Sequence, residues 1–208
     1  SCCFRVAAAR MVFARLQKEV FMKILLVEDS VSMGKAIKTL LEAQGHVVQW
    51  IVGLRRFSST SVDQATGINA ADEDDQVTAT NIAVAFVDGQ LKGQFTGPQV
   101  VQFLAQNGVP CLGISTQTDL NQEMVKIGAK LGLKKPVAFV ALFAGLLTAE
   151  LILNLAAPLP VNSRRKRAQT LNLQRLVSME TKLLSAEFEA VRKQAEDFFR
   201  PFLMEELN

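Results

Sequence analysis

The sequence predicts an α/β fold built on an open, mostly parallel sheet. Two observations predict it. Short, wholly apolar runs alternate with stretches whose apolar residues recur at helical spacing, which is the pattern of strand–helix–strand units. The runs Lys23 to Val27 and Ala83 to Val87 carry no polar alternation, as expected of strands buried on both faces. Each of these two runs delivers acidic residues at its carboxyl end, the edge at which open α/β sheets place their chemistry.

Taken in order, Ser1 to Phe21 holds Arg5, Arg10, Arg15 and Lys18 with no acid before Glu19. It lacks the apolar core of a signal peptide. Met22 has the look of a natural start, so residues 1–21 form an N-terminal extension, helical or disordered. The first strand, Lys23 to Val27, ends in Glu28-Asp29-Ser30. A helix follows, with Val31, Met33, Ile37, Leu40 and Leu41 at helical spacing, Ser30 or Ser32 as its cap and Gly45 as its stop. His46 to Val52 is the second strand. Gly53 to Asn81 is irregular and contains the acidic run Asp72 to Asp75. A crossover between parallel strands needs a connecting element, and a short helix over Asp63 to Ala71 with a mobile loop is expected.

The third strand ends at Asp88. Pro98 to Asn107 is a helix, and Val109 to Ile114 a fourth strand that closes in Ser115-Thr116. Asp119 to Leu131 is a helix with Leu120, Met124 and Ile127 on one face. Leu133 is a minimal fifth strand before Lys134-Lys135-Pro136. Val137 to Leu155 then reads as one very apolar helix. Glu150 and Asn154 interrupt it, so it is expected to cover the sheet and meet a partner or the C-terminal segment rather than cross a bilayer. After the linker around Pro158 and Pro160 and the basic cluster Arg164 to Arg167, the positions Val177, Thr181, Leu184, Phe188, Val191, Ala195, Phe198 and Phe202 step by four and three. That is the seam of a coiled coil or helical hairpin, serving either the monomer core or a dimer.

Composition narrows the function. The chain has 208 residues, 49% of them apolar, a net charge of +3, three cysteines without a C-x-x-C pair, and one histidine. Histidine triads and multi-histidine metal centres are excluded, and neither a zinc site nor a disulfide framework is indicated. A cytoplasmic location is expected. The modest charge does not by itself point to nucleic acid, and the basic cluster reads as a solvated linker.

Five strand ends converge on one edge and bring Glu28, Asp29, Asp88, Ser115 and Lys135 there. Three carboxylates in one pocket raise each other's pKa, and a divalent cation with hard oxygen ligands, Mg2+, relieves that. A lysine and a hydroxyl beside them suit Asp88 to act as a nucleophile toward a phosphoryl group.

The blocks Leu-Leu-Val-Glu-Asp-Ser (25–30), Phe-Val-Asp-Gly-Gln-Leu-Lys-Gly (86–93), Val-Pro-Cys-Leu-Gly-Ile-Ser-Thr (109–116) and Gly-Ala-Lys-Leu-Gly-Leu-Lys-Lys-Pro (128–136) together resemble the response-regulator receiver domain of two-component signalling, CheY-like, over residues 22–157. The resemblance implies a flavodoxin-like, doubly wound, five-stranded parallel sheet, here with extra helical segments at both ends: the 1–21 extension, a basic linker at 158–168 and a helical 169–208. It implies that Asp88 accepts phosphate from a histidine kinase or phosphotransfer protein. It further implies that Asp29, Asp88 and the carbonyl of Gln90 bind Mg2+ directly, with Glu28 acting through water. Ser115 and Lys135 would contact the phosphoryl group, and the Lys135–Pro136 bond would be cis. The expected output is homodimerisation through 137–155 and 169–202, without membrane or nucleic acid.

Three positions depart from the family pattern. Gly132 stands where the family usually has Tyr or Phe, Thr116 follows the hydroxyl position in place of a small residue, and Lys92 replaces a proline four residues after Asp88. Gly132 and Thr116 motivate an alternative, a receiver-fold scaffold that associates constitutively and does not switch. A haloacid-dehalogenase type of enzyme is disfavoured, because that chemistry wants a second acid where Gln90 stands. The chain is not expected to be an enzyme beyond self-phosphorylation and slow self-dephosphorylation.

Overall fold

Five parallel strands form the central sheet: β1 (Lys23–Val27), β2 (Val47–Ile51), β6 (Val84–Asp88), β7 (Cys111–Ser115) and β8 (Leu131–Lys134). They lie in the order β2-β1-β6-β7-β8. Among the parallel strands this is the 2-1-3-4-5 order of the flavodoxin-like fold. The computed structural model describes residues 21–91, 93–157 and 164–205. The expectations for residues 1–20, for Lys92 and for residues 158–163 of the linker lie outside the described residues.

The helices divide between the two faces. On one face α1 (Val31–Ala43) packs with α4 (Lys135–Phe143) and α5 (Ala149–Ala156), and the C-terminal helices α6 (Arg164–Lys182) and α7 (Ala186–Glu205) lie over them. On the other face lie α2 (Gly97–Gln106) and α3 (Thr118–Ile127), with Val100, Val101, Leu104 and Met124 buried against Leu25, Val27, Ala85 and Val87. The alternation of side chains along the buried strands feeds both cores at once, which is why β1 and β6 carry apolar residues at nearly every position. Ser30 caps α1 as expected, its Oγ accepting from the Met33 amide at 3.4 Å.

The expected helix over Asp63 to Ala71 is absent. Residues 53–78 form an antiparallel three-stranded sheet of β3 (Gly53–Phe57), β4 (Gln64–Ile68) and β5 (Asp74–Thr78) in sequential order. Leu54, Ala65 and Val77 are buried in the α2 side of the core, so this small sheet covers the surface that a crossover helix would cover. The exposed acidic run pairs with the arginines of β3. Arg55 bridges Asp72 at 3.3 Å and Asp74 at 3.1 Å, and Arg56 reaches Asp74 at 3.6 Å. The β4–β5 turn is closed by Asn69, whose Oδ1 accepts from the amides of Ala71 and Glu73. Such Asx geometry competes with a helix for these same residues.

Two further expectations are corrected. The apolar stretch 137–155 is two helices, not one. Gly145, at φ 69°, takes the left-handed conformation that a residue with a Cβ adopts only under strain, and Thr148 recaps the chain as α5 begins. No helix among the described residues is long and apolar enough to cross a membrane. The Lys135–Pro136 peptide is trans, and Pro136 sits in the first turn of α4, where a missing amide hydrogen costs nothing.

The C-terminal seam is half as expected. Phe188, Ala195 and the flanking Val191, Phe198 and Phe202 pack inward. In α6, however, Leu176 and Met179 are buried while Val177 is 65% exposed, and Leu184, just past the end of α6, is 82% exposed. The step of four and three runs across a helix break at 183–185, so its phase is lost on the α6 side. The apolar face of 169–202 that a dimer seam would use is packed within the chain, with the Phe139 and Phe199 rings 5.3 Å apart and those of Phe143 and Phe198 5.6 Å apart.

Candidate functional site

The carboxyl edge of the sheet gathers the predicted residues. The register pairs Val27 with Val87, and Asp88 with Ile114, so that Glu28, Asp88 and Ser115 emerge from three adjacent strands. Glu28 follows β1 and its backbone is fastened twice. Its amide donates to the Ile51 carbonyl at 3.1 Å and its carbonyl accepts the Trp50 indole N–H at 2.9 Å. Lys135, at the end of β8, reaches back across the edge. Its ammonium lies 2.6 Å from Asp88 Oδ2 and 3.3 Å from Glu28 Oε1.

The second oxygen of Asp88, Oδ1, accepts the Gln90 amide at 3.0 Å. The Asp88 and Glu28 side chains are buried, whereas Asp29 is half-buried and Gln90 is exposed. One oxygen from each of Glu28, Asp29 and Asp88 lies within 4.8 Å of the others. Burial, together with the charge of Asp88, pushes the Glu28 carboxyl up to about 7. Burial likewise raises Asp88 above the usual carboxylate range, against the pull of the Lys135 hydrogen bond. For Lys135 burial acts downward, but the Glu28 charge and the Asp88 contact outweigh it and hold the ammonium above its ordinary value. Lys135 pairs with two of the three acids, Glu28 and Asp88. This set is short of positive charge, and its hard oxygen donors at one end of the cluster fit a divalent cation such as Mg2+.

Ser115 is fully buried, and its Oγ accepts the Gln117 amide at 3.1 Å. Thr116 is exposed. Its hydroxyl donates to the Gln90 side-chain oxygen at 3.0 Å, so it bridges the loops after β6 and β7 at the rim of the pocket. Gly132 lies away from the acids, in β8, against α3. A Cβ there would stand 2.7 Å from the Asn121 carbonyl oxygen and 3.1 Å from its Cβ. A residue with a Cβ at this position therefore fits only if α3 shifts.

Sequence reading missed Asn121. It is buried, and its amide nitrogen donates to the Ser115 carbonyl at 3.1 Å. The signal was present: Asn121 lies three residues before the inward Met124, so its helix aims a polar group at the core. His46 is also buried, with Glu150 Oε1 3.6 Å from its Nε2, far from the acidic pocket in the fold's α5 region.

Comparison with known proteins adds a likeness of fold. No protein-family model matches the chain, and no curated protein matches it. Among solved structures, the receiver domain of the Francisella response regulator 1452 is 14% identical, with 74% of this chain and 98% of that one covered at a TM-score of 0.40. A CheY-like receiver domain protein from Methanospirillum hungatei is 12% identical, with 74% and 98% covered at 0.40. NtrX from Brucella abortus is 17% identical, with 78% and 31% covered at 0.42. Such similarity carries no argument about activity. The fold assignment stands on the strand order itself.

Proposed function

We propose that this chain is a receiver that accepts a phosphoryl group on Asp88 from a histidine kinase or phosphotransfer protein. The observation that carries the reading is the Asp88–Lys135 contact of 2.6 Å inside a three-carboxylate cluster. An isolated turn-forming aspartate has no use for a buried lysine or for two acidic neighbours.

In the proposed reaction an Asp88 oxygen forms a bond to phosphorus as the donor's P–N bond breaks. The donor imidazole departs with the electron pair, leaving an acyl phosphate on the protein. Asp29, Asp88 and the Gln90 carbonyl would hold Mg2+, with Glu28 near it. When bound, the cation supplies neutralisation of the transferring oxygens. The chain's own residues do the rest. The Gln90 amide and Lys135 fix the two Asp88 oxygens, so the attacking carboxylate is oriented before the donor arrives. Lys135 pairs with the incoming phosphoryl group, and the Ser115 hydroxyl donates to it. The C-terminal helices, docked on α1 and α4, are the segment through which altered self- or partner association would read out the modification.

A second reading is favoured by Gly132. With no aromatic side chain at that position to change rotamer, the chain could hold a receiver fold that associates constitutively and does not switch.

Incubation with acetyl phosphate and magnesium, followed by intact mass measurement, tests the first reading. One added phosphoryl group, absent in Asp88→Asn, is expected. An unmodified wild type, or an adduct that survives in Asp88→Asn, overturns it. Modification without any change of sedimentation on adding beryllofluoride and magnesium supports the second reading.

A further inference from the structure

The basic cluster is not a linker. Arg164 to Arg167 form the first turn of α6, a helix of 19 residues laid over the core. The expectation of no nucleic-acid partner rested on a net charge of +3, and that small number hides a concentration. α6 carries six basic residues and a single acid, a surplus of five, so the remainder of the chain is net acidic. The helix sorts these charges by face. Gln169, Leu176 and Met179 are buried. Glu180, the one acid, follows Leu176 by a turn, and its Oε2 is closed to solvent. On the other side Arg164, Arg167, Leu171, Arg175 and Lys182 advance by steps of three, four, four and seven, and all five are exposed.

These cations do nothing for the fold. Arg55, Arg56, Arg192 and Arg200 each meet a carboxylate, whereas among the described residues Arg164, Arg167, Arg175 and Lys182 meet none. Like charges at helical spacing repel, and cations in a first turn oppose the helix dipole, so the stripe costs stability.

We propose that this face of α6 binds the phosphate backbone of duplex nucleic acid. A guanidinium fork matches two phosphate oxygens at once. At about 1.5 Å per residue, Arg164 and Lys182 stand roughly 27 Å apart along the axis, a span that meets several phosphates of a duplex. The contacts are to phosphate, so binding is independent of base sequence. A membrane surface fits less well. A helix lying in a bilayer interface needs an apolar face to bury there, and α6 spends Leu176 and Met179 on the chain's own core. A single strand also fits less well, since its recognition stacks bases on aromatic side chains and α6 has none. Binding here does not rest on the phosphoacceptor role of Asp88.

Fluorescence anisotropy of a labelled DNA duplex of about 20 base pairs, titrated with the full chain at several salt concentrations, tests the proposal. Saturable binding is expected at about 50 mM salt, with the logarithm of the binding constant falling against the logarithm of salt at a slope of about −3 to −4, as four phosphate contacts require. The triple variant Arg164→Gln, Arg167→Gln, Arg175→Gln is expected to bind about tenfold more weakly or worse and to flatten that slope to about −1. A charge-matched variant at exposed positions elsewhere, Lys35→Gln, Lys126→Gln, Lys130→Gln, is expected to bind nearly as the wild type does. Circular dichroism checks that both variants are folded, which their exposed positions favour. No saturable binding of the duplex overturns the proposal, and capture by phosphatidylserine vesicles in its place assigns the face to a membrane surface. Equal losses in the two triple variants, or tighter binding of a single strand of the same length, also overturn it.

Discussion

The Lys135 ammonium lies 2.6 Å from Asp88 and so ties the end of β8 to the end of β6, two strands away across the sheet edge. The same nitrogen reaches Glu28 after β1. One cation thus holds together three strand ends whose carboxylates would otherwise repel. Replacing it with a neutral chain of similar length, Lys135→Met, removes the partner of two buried acids. A loss of about 3 kcal/mol at pH 8 is expected, because an uncompensated buried charge remains. At pH 5 the loss shrinks, since Glu28, pushed up to about 7, takes up a proton instead, and burial shifts Asp88 in the same direction. Urea unfolding at the two pH values measures this, and equal losses at both would refute it.

Glu28 predicts a pH dependence of its own. Its carboxyl ionises near 7 in the folded chain against 4.5 when free of the fold. Between those values the folded state binds the proton and the unfolded state does not. The contribution is therefore favourable at low pH, falls as pH rises from 4.5 toward 7, and is flat above. The fall is about 3 kcal/mol. The difference in unfolding free energy between the wild type and Glu28→Gln, measured across this range in chelator, isolates it from the other acids. Magnesium favours the ionised carboxylates and is expected to reduce or reverse the fall.

Gly132→Ala tests how tightly α3 closes on β8. The added Cβ would meet the Asn121 carbonyl oxygen at 2.7 Å, a backbone atom that moves only with the helix. A cost of about 1–3 kcal/mol is expected. Thermal unfolding reads it directly, and a neutral substitution would mean that α3 moves freely. Gly132→Tyr is expected to destabilise further rather than to restore a rotamer switch.

The C-terminal helices offer a contrast between a buried and an exposed apolar residue. Phe199 is 5% exposed and packs near Phe139 and Phe198. Phe199→Ala is expected to cost about 3–5 kcal/mol. Leu184 is 82% exposed, and Leu184→Ala is expected to change stability by less than about 0.5 kcal/mol. Chemical denaturation of both variants distinguishes docking within the chain from a seam built for a second copy. A large loss at Leu184 would favour the second copy.

The strands of the main sheet and their helices were legible because burial leaves a plain record in sequence. A strand covered on both faces shows as an unbroken apolar run, as in Ile24 to Val27 and Val84 to Val87. The acidic residues at their ends were legible because a strand that stops at a carboxylate places it at the sheet edge. The segment 53–78 was harder. Its strands carry between one and three buried residues each, Leu54, Ala65 and Val77 among them, and much of the remainder is polar. A periodicity that weak is indistinguishable from a loop with a short helix.

By itself, then, the sequence determined which side chains stand at the carboxyl edge: Glu28, Asp29, Asp88, Ser115 and Lys135. Each is set by local order, a strand that ends where the residue begins. Tertiary structure alone decided how they pair, with Lys135 taking Asp88 and Glu28 together, because those contacts join residues 47 and 107 positions apart. It also decided that α3 closes on Gly132. Distances between elements are fixed by packing volume and by the phase of each helix against its neighbour, and neither quantity is written in the spacing of a single stretch.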